Sequence, residues 1–182
     1  MNRSQCVCFD LLKKGVNAAI YYSGLFYVLN ALLPAKGFYV IMYHNLADPS
    51  ATEHGPLAVS LDRFEKQLEY FKKYYDILSI DEAWQRLQTG APLSRNVLVV
   101  TFDDGYADNH LGRELFQRFD VKPCIYVVAR DVGKSDSEGR AFLNWDQIHR
   151  LQQSGVVIGG HASSHVPMDT LSREELENQI EH

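Results

Sequence analysis

Val97-Leu98-Val99-Val100 is an unbroken apolar run that continues through Thr101 and Phe102 and stops at Asp103-Asp104-Gly105. A strand wetted on one face alternates apolar and polar residues, whereas one that is apolar throughout is covered on both faces. Such strands belong to parallel sheets, whose crossover connections lay helices across them. Comparable runs recur at Phe38–Tyr43, at residues 124–128 and at residues 156–158, with a shorter one at residues 77–80. The first is read as a buried strand.

Segments of helical period lie between these runs. Residues 61–74 follow a capping Ser60 and place Leu61, Phe64, Leu68 and Phe71 on one face. Ser79-Ile80-Asp81-Glu82 is a capping box opening a helix to Gln88, with Gly90 as its stop. Residues 107–119 form a further helix with Leu111, Leu115, Phe116 and Phe119 facing inward. Asn144-Trp145-Asp146-Gln147 is a second capping box whose helix ends at Gly155, and Ser172-Arg173-Glu174-Glu175 opens a last helix. Residues 46–59, which hold Pro49, Gly55 and Pro56, read as a loop, as do residues 130–140. The order β-α-β-α predicts an α/β fold of parallel strands covered by helices, either a barrel or an open doubly wound sheet.

The bulk numbers narrow the function. A chain of 182 residues can bury one sizeable core, and its 46% apolar and 23% charged content is that of an ordinary globular protein. A net charge of −5 with no basic block gives no footprint for nucleic acid. Cys6, Cys8 and Cys124 make no disulfide framework. Cys6 and Cys8 are too close for a usual zinc knuckle, and Cys124 lies in an apolar run as a small buried hydrophobe. No charged residue stands between Lys14 and Lys36, but Asn17, Ser23, Gly24, Asn30 and three tyrosines interrupt the stretch and Pro34 ends it. Residues 1–36 are therefore expected to form an apolar helical segment, and residues 37–182 the folded α/β domain. The segment packs on the domain or lies at a membrane surface through residues 15–35; an anchor or a signal peptide is the alternative.

The chemistry concentrates where strands end, which is where α/β folds build their sites. Asp103 and Asp104 repel one another unless a cation or a shared proton intervenes. A metal on one would leave the other free as a base. The competing reading is a turn whose acids cap the next helix. Gly159-Gly160-His161-Ala162-Ser163-Ser164-His165 follows another strand and places two imidazoles four residues apart. They can share one tight loop and one ion, or stand as two surface histidines. One or two carboxylates with two imidazoles favour Zn²⁺ and similar divalent ions over Ca²⁺. His44 ends the first strand on the same rim, as a structural residue or a site residue. Asp108 and Asn109 read mainly as helix-start residues, and His54 and His149 receive no function.

Thr101-Phe102-Asp103-Asp104-Gly105-Tyr106 and His161-Ala162-Ser163-Ser164-His165 resemble the first two motifs of the polysaccharide deacetylases, carbohydrate esterase family 4, which share the NodB-like domain. The resemblance runs from about Tyr39 onward and is greatest to the bacterial branch acting on β-1,6-linked poly-N-acetylglucosamine and other envelope glycans. It implies a distorted (β/α) barrel and a divalent metal, most often Zn²⁺. It also implies Asp104, His161 and His165 as metal ligands, Asp103 as general base, and His44 and Tyr106 at the substrate. The reaction implied is hydrolysis of N-acetyl groups on N-acetylglucosamine-type polysaccharide, with a backbone N–H near Tyr106 helping to hold the oxyanion. A bacterial envelope or extracytoplasmic location goes with it, a cytoplasmic one being the alternative.

Two later motifs of that family, an Arg-x-Pro segment and a Leu-His pair, have no counterpart in these 182 residues. The resemblance therefore makes residues 37–182 the N-terminal part of a deacetylase catalytic domain, a barrel incomplete at its C-terminus, and the chain alone is expected to be weakly active or inactive and poorly stable. A non-catalytic glycan-binding or remnant protein is the alternative function. A Mg²⁺ phosphohydrolase fits worse, because its two acids are spaced to face one side whereas Asp103 and Asp104 are adjacent. Oligomeric state is not legible.

Overall fold

The computed structural model describes Ser23, residues 36–48 and residues 57–181. The chain divides into two compact units, Met1–Lys36 and Gly37–His182. The expectations for residues 1–36, Cys6 and Cys8 included, lie outside the described residues apart from Ser23 and Lys36, as does His54. Among the described residues no helix is long and apolar enough to cross a membrane.

The second unit is built on a parallel sheet. Its strands are β1 (Phe38–Tyr43), β4 (Tyr75–Ile77), β5 (Asn96–Phe102), β6 (Cys124–Val127) and β7 (Val157–Gly160), in the order β1-β5-β6-β7. β5 is the centre: β1 pairs along its whole length, while β4 takes the first half of its other edge and β6 the end. A separate parallel pair joins β2 (Asn45–Ala47) to β3 (Ala58–Ser60). Among the described residues β1 and β7 are edges and do not bond to each other, so the sheet is open.

Alternation along β5 assigns its two faces. Val100 and Phe102 join the main core with Phe64 and Leu68 of α1 (Leu61–Tyr74), Phe116 of α3 (Arg113–Arg118), and Ile148 and Leu151 of α4 (Trp145–Gln153). Val97 and Val99 point the other way, against Ala83 of α2 (Ile80–Thr89). Phe64 is fully buried, with ring centroids 5.1 Å from Tyr43, 5.8 Å from Phe102 and 6.0 Å from Phe116. These edge-on contacts tie α1 to β1, β5 and α3. Burial pushes the Tyr43 hydroxyl up to about 12, and it donates to Gln67 Oε1 at 2.8 Å.

Both capping boxes form as expected. Ser79 Oγ accepts from the Glu82 N–H while Glu82 accepts from the Ser79 N–H, and Gly90 ends α2 in the left-handed region. Asn144 and Gln147 make the same reciprocal pair at α4.

Four expectations need correction. Residues 46–59 are not wholly loop: Leu46 and Ala47 are buried and pair with β3 because Val59 packs on the main core. The short strand at residues 77–80 lies at Tyr75–Ile77, since the cap at Ser79 claims the residues after it. The first strand is not buried throughout, because among the described residues one of its faces is left uncovered: Val40 is 65% exposed and Met42 55%. Residues 107–112 form a 3-10 turn, with the α-helix beginning only at Arg113. There Gly112 sits so close to Phe116 and Leu46 that a Cβ would lie 2.6 and 2.7 Å from them.

Candidate metal centre

β5 delivers the two acids. The Asp103 N–H still donates to Tyr43 O at 2.8 Å, which keeps the chain in register with β1 for one more residue. The backbone then turns through two left-handed residues, Asp104 (φ 70°) and Gly105 (φ 72°). Glycine is required at the second, because a Cβ there would lie 2.7 Å from Val127 Cγ1 and 3.1 Å from Val127 Cα. Aspartate tolerates the left-handed region better than most residues, so the first position suits it. The turn separates the neighbours: Asp104 goes to the cleft above the strand ends, and Asp103 stays outside its ligand cluster.

β7 delivers the two imidazoles. Gly159 packs against Tyr126, whose ring would lie 2.6 Å from a Cβ at that position. The His161 N–H donates to Val127 O at 2.8 Å, and Ala162 turns left-handed at φ 61°. His161 Nε2 lies 3.5 Å and His165 Nε2 3.3 Å from the same atom, Asp104 Oδ1. The three ligand atoms lie within 4.8 Å of one another.

This arrangement fits a small divalent ion. Ligand bonds of about 2.0–2.2 Å in tetrahedral geometry put two ligand atoms about 3.3–3.6 Å apart. Asp104 Oδ1 is buried and accepts no hydrogen bond, a costly condition for a carboxylate oxygen unless a cation or protonated imidazole meets it. Two imidazoles and a carboxylate are the donor set that Zn²⁺ accepts.

A cleft of about 450 Å³ opens beside these ligands, lined by His44, Asp104, Tyr106, Asp136, Arg140 and His165 among others. His44 is therefore at the rim. Tyr106 is packed rather than free: it is 8% exposed, with its ring stacked on Phe142 at 4.8 Å and the Arg140 guanidinium 4.9 Å over it. Arg140 is fixed in turn by Asp136, which accepts from its Nε at 2.7 Å. Desolvation pushes the Tyr106 hydroxyl up, and Asp104 and Asp136 act in the same direction.

Sequence reading missed how the His44 corner is held. Asn109, fully buried, donates to His44 O at 2.7 Å, and Asp108 accepts from Asn45 Nδ2 at 2.9 Å and from the Leu46 N–H at 3.3 Å. Burial raises the Asp108 carboxyl above its ordinary range. Their sequence marks them only as helix starters, and contact with a segment some sixty positions earlier reveals what they do. Asp136 and Arg140 lie within a polar loop, where their four-residue spacing is the one signal of their pairing in the sequence.

The polysaccharide deacetylase family model matches residues 90–182, which include both acids and both histidines. The chain belongs to the polysaccharide deacetylase family. YxkH of Bacillus subtilis, a protein named for the same family, is 24% identical over 149 residues, covering 81% of this chain and 50% of that protein. The chain thus spans about half the length of the curated relative it matches. Among solved structures, the Streptococcus pyogenes deacetylase PplD in complex with acetate superposes with a TM-score of 0.66 at 22% identity, over 79% of this chain and 64% of that one. IcaB from Ammonifex degensii gives 0.65 at 22% identity, over 78% and 58%. These likenesses place the open α/β sheet within the deacetylase fold.

Proposed function

We propose that this polysaccharide deacetylase is a metal-dependent hydrolase that removes N-acetyl groups from an N-acetylglucosamine-type polysaccharide. One observation carries the reading: a buried Asp104 carboxylate oxygen without a hydrogen bond, faced by two imidazole nitrogens at 3.3 and 3.5 Å, with Asp103 next to it in the chain but outside the ligand group. Asp104, His161 and His165 would hold the ion, with Zn²⁺ the best match to their donors. When bound, the metal supplies Lewis acidity, polarising a carbonyl and making water more acidic.

The remaining work falls to the chain's own groups. Asp103 takes the proton of the attacking water as general base. Its separation from Asp104 by the left-handed turn supports that division of labour. His44 and Tyr106 flank the cleft where the acetamido group would sit, with Tyr106 held by contacts to Phe142 and Arg140. The amide C–N bond breaks as the leaving nitrogen takes up a proton, in net the one Asp103 removed from water, giving acetate and a free amine on the glycan. An extracytoplasmic site of action belongs to the same proposal.

The test is acetate release from N-acetylglucosamine oligomers by zinc-loaded protein, run beside zinc binding. Release should fall at least a hundredfold in Asp103→Asn with zinc retained. Asp104→Ala should lose both. Release that is indifferent to either substitution overturns the reading. Zinc and oligomer binding without any release would favour the non-catalytic alternative.

A further inference from the structure

The loop that carries the two imidazoles is anchored unevenly. Its first half is tied to the end of β6 and the turn after it: the His161 N–H donates to Val127 O, the Ala129 N–H to Ala162 O at 3.1 Å, and the Arg130 N–H to Ser163 O at 3.0 Å. Its second half is held from one place, residue 179 on α5 (Arg173–Glu181). The Ser163 N–H donates to the backbone oxygen of Gln179 at 2.9 Å. The Ser164 N–H and Ser164 Oγ both donate to Gln179 Oε1, at 2.8 and 3.0 Å.

We propose that Gln179 is a positioning residue for the metal centre, its side-chain amide oxygen fixing the Ser164–His165 half of the loop so that the His165 imidazole stays in register with His161 and Asp104. The inference rests on the metal-site reading above. His161 does not need such a device, because the β6 ladder already places it. His165 does: its side chain is 68% exposed, so packing constrains it little. Ala162, left-handed at φ 61°, is a strained pivot between the two halves. Without the Gln179 acceptor, two donors of Ser164 lose their partner and the loop can turn about that pivot.

The helix that carries Gln179 is closed at its N-terminal end by its own side chains. Ser172 and Glu175 form a reciprocal cap at its start, with the Ser172 N–H donating to Glu175 Oε2 at 2.8 Å and the Glu175 N–H to Ser172 Oγ at 3.3 Å. Gln179 lies one turn beyond Glu175 and, with Leu176, is the half-buried part of a mostly exposed helix. Groups that orient metal ligands typically change affinity by about 10–100-fold when removed.

The experiment compares wild type with Gln179→Ala and Gln179→Glu. Zinc affinity is measured by competition with a chromophoric chelator, the cobalt-substituted visible spectrum reports coordination geometry, and melting of the metal-free protein reports folding. Gln179→Ala should bind zinc at least about tenfold more weakly and shift the cobalt spectrum, with the metal-free melting point nearly unchanged. Gln179→Glu keeps an acceptor oxygen and should recover most of the affinity. If Gln179→Ala does not fold, Gln179→Met, of similar length but without the acceptor, carries the same expectation. Native zinc affinity and a native cobalt spectrum in the variant lacking the acceptor overturn the proposal. So does a lowered metal-free melting point in the alanine and glutamate variants with an unshifted spectrum. Failure of wild type to bind zinc, or zinc binding that survives Asp104→Ala, overturns the site reading beneath it and is seen before any Gln179 variant is compared.

Discussion

The turn after β5 decides what two adjacent aspartates can do. On a continuing strand they would point to opposite faces. Left-handed Asp104 and Gly105 redirect the second while the first keeps its bond to β1. Gly105→Ala therefore faces two penalties: a left-handed φ of 72° and a Cβ 2.7 Å from Val127 Cγ1. The left-handed conformation alone costs a residue with a Cβ about 1–2 kcal/mol. We expect a loss of at least about 2 kcal/mol in denaturant unfolding, and weaker zinc binding through displacement of Asp104. An unaltered midpoint would mean that the turn is not what holds Asp104. At this scale the sequence was most legible where chemistry is local: adjacency marked the acids and a four-residue spacing marked the imidazoles. It was silent on Asn109, Arg140 and Gln179, whose roles exist only through partners distant in the chain.

Elements were legible where a rule is short in range. The caps at Ser79 and Asn144 were readable because both halves of each hydrogen-bonded pair lie three residues apart. The β2–β3 pairing was not, because it joins two short segments across a connection rich in turn residues. Nor was the exposed face of β1, because apolar content tells what can be covered and not what covers it. The α2 cap gives a prediction with a definite sign. Bonds from the Ser79 N–H and hydroxyl hold the Glu82 carboxyl below its ordinary range, with Lys122 adding to them. A carboxyl lowered in the folded state contributes stability above its unfolded pKa of about 4.3 and loses it as pH falls through the folded value. Glu82→Gln should flatten the stability–pH curve below about pH 4.3 and change it little below the folded pKa. Ser79→Ala should cost about 1 kcal/mol at neutral pH in urea melts. A pH dependence identical to wild type in Glu82→Gln would remove the charge from this account of the cap.

Across the whole second unit, the ligands come from the ends of β5 and β7, and β6 lies between them. The acid and the imidazoles meet only when the sheet is assembled, so the unfolded chain offers no comparable site. An ion bound there is thermodynamically linked to folding of the sheet. At free zinc about 100 times its dissociation constant, linkage stabilises the folded state by about 2.7 kcal/mol. For a chain of this size that corresponds to a rise in melting temperature of about 5–10 °C. Calorimetry with and without zinc should show this rise, and a chelator should reverse it. Asp104→Ala should erase the response and Asp103→Asn should keep it, because only the former removes a ligand. An equal zinc shift in Asp104→Ala would place the ion elsewhere in the chain. The convergence of two strand ends across β6 would then be a feature of the fold alone.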